Sequence, residues 1–479
     1  MRYFLTPRRG AGDAETQLDQ ALASLPHSAQ LVFDRRLSVT GRRLIAFEVD
    51  SDLLRTPRLP QELLLEPWIE HQPESSSANQ PAGSGGQGAD GLFSIKVISA
   101  GRPLPLTTVL LIVDEGELSA VTGADGGATF DWPASSGAHG LIAAPYSGHW
   151  EMIEYEPQPG SSIECPPLPE VGSTGWWHGA IDSRPGDPRE GSGIRIGVID
   201  TGCGPHPHLG NVEDAGCFLN LDHITTGRAG RDPVQHGTHV TGIIASRPAN
   251  GDGFAGIAVG AEVVTARAFD EETVANQGDL ANAIEYLGIE RRVDLINLSL
   301  SAATLSSILE DAILFARDHG VLCLCAVGNY GGAVRYPAAL EAAVGIGAAG
   351  RSGWGVEGSS AAARVPDDES KLGSDGYYLA NFSCFGSGLN TLGPGVGIIS
   401  TVPARGGFQS PYAAMCGTSM ACPAVTASLA VMLASDGEYL GQERGADRAD
   451  RARRVLEDSC LDLNLAAAYQ GRGLVRISR

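Results

Sequence analysis

From position 193 onward the chain alternates short apolar runs with helical patterns. IRIGVID, AEVVTARAF, DLINLSL, VLCLCAV and AAVGIGA are short and nearly continuous in apolar residues, which predicts strands buried on both faces. Between them, 281–291 and 305–319 carry the apolar spacing of helices. Strands alternating with helices predict a doubly wound, mostly parallel sheet with helices on both faces. A functional site is then expected beyond the C-terminal ends of the strands.

The first half reads differently. Residues 1–74 predict a strand (RYFLTP), a helix over 14–25, two strands (AQLVFDR, RRLIAFEV), a short helix near Asp52 and a strand (ELLLEPWI), together a small α+β domain. Residues 75–90, SSSANQPAGSGGQGAD, read as a flexible linker. Residues 91–165 hold short strand-like runs separated by Gly/Asp turns, with ADGG as a hairpin signal, and predict a small all-β sandwich. A Pro/Gly-rich joint follows, and the alternating domain occupies 176–479.

Composition narrows the functional classes. Asp+Glu is 56 against 34 Lys+Arg, for a net charge of −22. That disfavours nucleic acid or an anionic membrane as the main partner. No apolar run is long enough to span a bilayer, and no apolar stretch follows Arg8-Arg9 to make a twin-arginine signal. Nine cysteines, an odd number scattered over 479 residues, suggest reduced thiols and a cytoplasmic location rather than a disulfide framework.

Four segments hold the candidate chemistry. Asp200 ends a strand in IGVIDTGCG. His236 opens the helical pattern HGTHVTGIIAS. Asn329 follows a strand in CAVGNYGG. Ser419 stands in CGTSMACPAV ahead of an apolar helix. A serine hydroxyl needs a nearby base to become a nucleophile, and the base needs an orienting carboxylate. Asp, His and Ser supply those three groups.

These motifs, in this order, resemble the subtilisin-like serine proteases (subtilases), over about residues 176–479. DLINLSLS, RYPAAL, LANFSCFG, GPGVGIIST and the terminal YQGRGLVRI follow in family order. The resemblance implies an acyl-enzyme on Ser419, His236 as general base and acid, Asp200 as its orienting partner, and Asn329 as oxyanion donor. It implies that an extended substrate lies between Gln277-Gly278-Asp279 and Ser299-Leu300-Ser301, with Gly328 also in the substrate site. The family favours Gly where Ser301 stands. Arg335, before Tyr336-Pro337, falls at the position closing the base of the S1 pocket, where a guanidinium would favour an acidic P1 residue.

Residues 1–74 resemble the I9-type propeptide that chaperones and inhibits subtilases. Glu66 falls on that family's Glu, and self-cleavage is expected near Glu74. The expected partners are a protein or peptide substrate and this chain's own prodomain as intramolecular inhibitor. Residues 91–165 resemble carboxypeptidase-regulatory-like or transthyretin-like sandwiches.

No cofactor or catalytic metal is required by this reading. A structural Ca²⁺ is conceivable at the acidic 366–376 segment, within an interruption of the family pattern at 351–378. His206 and His208 lack a third ligand in sequence. Two other classes share these motifs: a peptide transferase or macrocyclase on the same fold, and a catalytically silent peptide-binding protein.

Overall fold

The five apolar runs form adjacent parallel strands of an 11-stranded sheet. Their spatial order is Glu262–Arg267, Arg195–Asp200, Leu295–Leu298, Leu322–Ala326 and Val344–Arg351. Antiparallel additions (Asp222–Ile224, Tyr377–Leu379, Cys460–Leu461) lie at its margins. This computed structural model describes all residues except 12–13, 27, 50–58, 74–90, 133–135, 170–173, 226–230, 250–251, 272, 406, 409–410 and 479. The helix expected near Asp52, the linker 75–90 and Glu74 therefore lie outside the described residues.

Arg195–Asp200 is the first strand of this sheet in the chain. Its two neighbours continue the sheet in opposite directions, so the order of strands reverses beside Asp200. Such a switch point leaves a crevice at the carboxyl ends of the strands. Two helices fill the layer behind it, His236–Ala245 and Thr418–Leu433, and every residue of both is buried. Their sequences are apolar or small all round, as a helix enclosed on every side must be.

The N-terminal unit is an antiparallel sheet in the order Gln30–Arg36, Arg43–Glu48, Arg2–Pro7, Leu63–Pro67, with the helix Glu15–Ala23 on one face. Successive strand side chains point to opposite faces, yet Phe4 and Leu5 are both fully buried. Leu5, Ile45, Phe47 and Leu63 pack with Leu18 of the unit's own helix. Phe4, Phe33, Leu44, Ala46 and Leu64 belong instead to the core of the large domain. Covering both faces explains why the central strands Arg2–Pro7 and Arg43–Glu48 lack a polar side, while the edge strand Gln30–Arg36 is exposed.

Residues 91–165 form two four-stranded sheets around a shared core that includes Phe93, Val97, Leu111 and Leu141. They lie against the large domain. Ile153 N donates to Gly358 O (2.9 Å) and Ser360 N to Glu151 O (2.9 Å). Trp354 makes edge contacts with Trp150 and Trp177, both 6.0 Å between centroids, and donates Nε1–H to Gly397 O (2.8 Å). The interruption at 351–378 thus begins as a docking ledge for the two-sheet unit.

Within its acidic part Asp368 accepts from Ser370 N and Oγ, and Lys371 lies over Phe385. Among the described residues no group of three or more His, Cys, Asp or Glu is placed to hold a metal ion. No helix among them is long and apolar enough to cross a membrane.

Candidate active site

Asp200 stands at the carboxyl end of its strand, 2% exposed. His236 is the first residue of its helix, launched by Gln235 in the left-handed region (φ 74°). Asp200 Oδ1 accepts from His236 Nδ1 at 2.7 Å and from Thr201 N at 2.7 Å. A carboxylate only accepts, so Nδ1 carries the proton and Nε2 is left as the basic nitrogen. Gly237 permits this approach: a Cβ there would sit 2.1 Å from Gly202 O and 3.0 Å from Asp200 Oδ1.

Ser419 is the second residue of Thr418–Leu433 and fully buried. Its Oγ donates to Ser299 O (2.9 Å), and Ser299 Oγ donates back to Ser419 O (3.0 Å). The second bond has a local cause. Pro423 lacks the N–H that would close the helical turn onto Ser419 O, and Ser299 fills the vacancy. The N–H of Ser419 lies in the first turn, where no intrahelical acceptor exists.

Asn329 lies three residues beyond the strand Leu322–Ala326. Its Oδ1 accepts from Thr418 N (2.9 Å) and Thr418 Oγ1 (3.0 Å), which fixes the amide. Its Nδ2 is buried and has no hydrogen-bond partner among the described residues. An orphaned buried donor costs about 1–3 kcal/mol, so this amide is poised for an acceptor from outside.

A residue that sequence reasoning missed supports the pair. Asp232 is buried four positions before His236. Its carboxylate accepts from Thr201 Oγ1 (2.9 Å), Thr238 N (2.7 Å) and Thr238 Oγ1 (2.5 Å). Thr201 Oγ1 accepts in turn from Gly237 N (2.8 Å). Asp232 therefore clamps the strand end of Asp200 to the helix start of His236. Burial pushes its carboxyl upward, against the pull of these hydrogen bonds. The signal was a second acid just ahead of HGTH.

His239 is structural: its Nε2 lies 3.0 Å from both Ile398 O and Ala413 O, and burial lowers its pKa to about 3. His206 and His208 contact Pro411 O (3.1 Å) and Tyr412 Oη (2.7 Å), not a shared metal position.

The cleft is filled by the chain itself. Glu70–Pro73 forms the middle strand of a three-stranded antiparallel sheet, between Ala275–Asn276 and Leu300–Ser301. His71 pairs with Ala275, Gln72 with Ser301 and Pro73 with Leu300. One wall is thus Leu300–Ser301, of the expected segment 299–301. The other departs from expectation by two residues: the pairing strand is Ala275–Asn276, because Asn276 caps the helix Gln277–Ile289 by accepting from Gly278 N and Asp279 N.

Gln277, Gly278 and Asp279 are therefore the first helical turn. Gln277 still reaches the tail, accepting from Ile69 N (2.9 Å) and donating to Pro67 O (2.7 Å). Asp279 faces inward, accepting from Asn220 N, Leu221 N and Asn276 Nδ2. Burial raises its pKa to about 7.

Glu66 secures the tail from the N-terminal unit. It accepts from Ser306 Oγ (2.7 Å), Ser307 N (2.9 Å) and Gln277 Nε2 (3.2 Å), at the N-terminus of the helix Ser307–Asp318, where negative charge is favoured. Further polar contacts join the two units: Ser38 to Asn282 Oδ1, Thr40 to Glu285 and Arg42 to Asp311.

Arg335 lies beside Gly328, with its stem where a Gly328 side chain would be: a Cβ there would stand 3.2 Å from Arg335 Cδ. Next to it, Tyr336 and Ala302 exchange main-chain hydrogen bonds (3.0 and 2.8 Å), which joins the Arg335 segment to the 299–301 wall.

A doubly wound sheet with a buried Asp–His pair, a serine at a helix start and an extended strand in an adjoining cleft defines the subtilisin-like class of serine peptidases. Comparison with known proteins agrees. Residues 191–470 match the model of the subtilase family. The thermophilic serine proteinase of a Bacillus species is 34% identical over 249 residues, covering 51% of this chain and 53% of that protein. Subtilisin Savinase of Lederbergia lenta is 32% identical over 243 residues, 50% of this chain and 77% of its own. The major intracellular serine protease of Bacillus subtilis is 29% identical over 299 residues, 60% and 82% respectively. This chain belongs to the subtilase family.

Proposed function

We propose that this protein is a serine endopeptidase that cleaves peptide bonds through an acyl-enzyme on Ser419, held in check by its own first 74 residues. His236 Nε2 takes the Ser419 proton as Oγ attacks the scissile carbonyl, then gives it to the leaving amine. Asp200 fixes the tautomer and stabilises the imidazolium. The oxyanion receives Asn329 Nδ2–H and the Ser419 N–H. The observation that carries this reading is the seating of Glu70–Pro73 as a strand in the cleft of a chain with a hydrogen-bonded Asp200–His236 pair. That is how a substrate would bind, with main-chain bonds supplying affinity.

The pairing register suggests where the cut falls. Pro73, the last described residue of the tail, pairs with Leu300, next to Ser299, whose carbonyl contacts Ser419 Oγ at 2.9 Å, and the next residue in the sequence is Glu74. Glu74 is the expected P1 residue. Arg335 supports an acidic P1, because among the described residues it forms no ion pair that would neutralise it. The nine cysteines, none in a disulfide, fit a reducing compartment such as the cytoplasm.

A fluorophosphonate probe tests the function. It is expected to label Ser419 in the wild-type protein; an unlabelled Ser419, with peptides left uncut, would sink the reading in favour of a silent binding protein. Amine-capped products in place of hydrolysed ones would indicate a transferase.

Inhibition is expected to weaken in acid. His71 is fully buried, and the backbone of Ala275 and Ile69 only partly offsets the cost of that burial for a charged ring. The cleft strands bring it no charge, since Ala275, Asn276, Leu300 and Ser301 are neutral, and Glu70 alternates to the opposite face. Burial lowers its pKa to about 4. A released tail would titrate near the ordinary ~6.5. The docked state is therefore favoured above pH 6.5, and its advantage is lost as pH falls from 6.5 towards 4. By linkage the tail binds about 20-fold more weakly at pH 5 than at pH 7. The check is the pH 5 to pH 7 ratio of peptide hydrolysis by purified wild-type protein expressed from the whole chain, divided by the same ratio for His71→Phe; a quotient of one would exclude the effect.

A further inference from the structure

On the reading above Arg335 closes the base of the S1 pocket, but an arginine side chain samples many rotamers, and a bidentate grip on a carboxylate needs one orientation. Two features restrict it. Gly328, at φ +105°, leaves room for its stem, with Cγ and Cδ 3.3 and 3.2 Å from the space a side chain would fill. At the other end, the guanidinium carbon lies 3.4 Å from the ring centroid of Tyr330. Tyr330 is 55% exposed although it follows the buried amide of Asn329. Its segment is held on both sides: Gly331 N donates to Phe382 O (2.7 Å) and Arg335 N to Val327 O (3.0 Å). The ring is thus an exposed platform on a fixed loop, against one face of the guanidinium.

We propose that Tyr330 is a positioning residue for P1 selectivity. Its ring holds the Arg335 guanidinium by cation–π stacking so that the N–H edges stay available to a P1 carboxylate. This rests on the acidic-P1 reading above and extends it. The ring attracts the cation by its face and takes none of its donors, so the arginine is ordered without being neutralised. An acidic residue at position 330 would order it equally well but would occupy the charge that P1 should meet.

The test compares two peptide p-nitroanilides, His-Gln-Pro-Glu and His-Gln-Pro-Ala, on purified wild-type, Tyr330→Ala, Tyr330→Phe and Arg335→Ala proteins, each expressed from the whole chain. Wild type is expected to favour Glu over Ala at P1. Tyr330→Ala should lower that kcat/KM ratio about three- to tenfold, mainly through KM for the Glu substrate, the scale of an exposed cation–π contact plus a freed side chain. Tyr330→Phe should retain the ratio, and Arg335→Ala should abolish it. A ratio unchanged in Tyr330→Ala, or lost equally in Tyr330→Phe, overturns the role of Tyr330. A wild-type enzyme indifferent to Glu overturns the acidic-P1 reading beneath it, a distinct result.

Discussion

Ser419→Ala is expected to leave the chain as a single species at its full mass, whereas the wild-type protein is cut after Glu74. The substitution removes only a hydroxyl that donates to Ser299 O, so the helix start and the Ser299 Oγ bond to Ser419 O remain. Peptide hydrolysis should fall by about 10⁶, the scale of the loss in a subtilisin without its nucleophile. Intact-mass measurement of both proteins after purification checks cleavage and its position together. Cleavage of the Ser419→Ala chain at the same bond would assign the cut to another protease. An uncut but active wild type would mean that the N-terminal unit stays attached.

The next largest effect is expected at Asn329. Asn329→Ala removes the buried Nδ2 donor along with the acceptor of Thr418 N and Oγ1. The donor matters more in the transition state than in the ground state, because charge on the oxyanion develops only there. kcat is expected to drop about 10²–10³ with little change in KM, again a magnitude taken from the subtilisin donor. Asn329→Asp separates the two roles: it keeps the acceptor for Thr418 and withdraws the donor, so it should be at least as inactive while folding normally. If KM rose and kcat held, Asn329 would be a substrate-binding residue instead.

Motif readings and tertiary contacts supplied different parts of this picture. The ends of Arg195–Asp200 and Leu322–Ala326, and the starts of His236–Ala245 and Thr418–Leu433, were readable because apolar strands and glycine-rich turns leave local marks. The cleft wall was read two residues late. The resemblance placed Gln277-Gly278-Asp279 beside the extended substrate, but Asn276, by accepting from Gly278 N and Asp279 N, turns those residues into a helix. Asp232 went unread because its importance lies in partners, Thr201 and Thr238, that only folding assembles around it.

The double burial of the N-terminal sheet was available in principle. Phe4 beside Leu5, and Leu44 to Phe47 without a break, predict strands with two covered faces, and among the described residues of this unit the helix Glu15–Ala23 covers one of them. The missing layer is the large domain, more than 200 residues away. The same holds for the interruption at 351–378. Trp354 and Gly358 look like surface loop until Trp150, Ile153 and Glu151 are seen against them.

By itself the sequence determined the chemical groups, Asp200, His236, Asn329 and Ser419, and the strand-and-helix frame that presents them, since both follow from short-range patterning. Only the tertiary structure decided that the tail occupies the cleft, that Gln72 faces Ser301 and Pro73 faces Leu300, and that Tyr330 lies on Arg335. Register and stacking are set by contacts between distant segments, and no local pattern fixes the partner in such a contact.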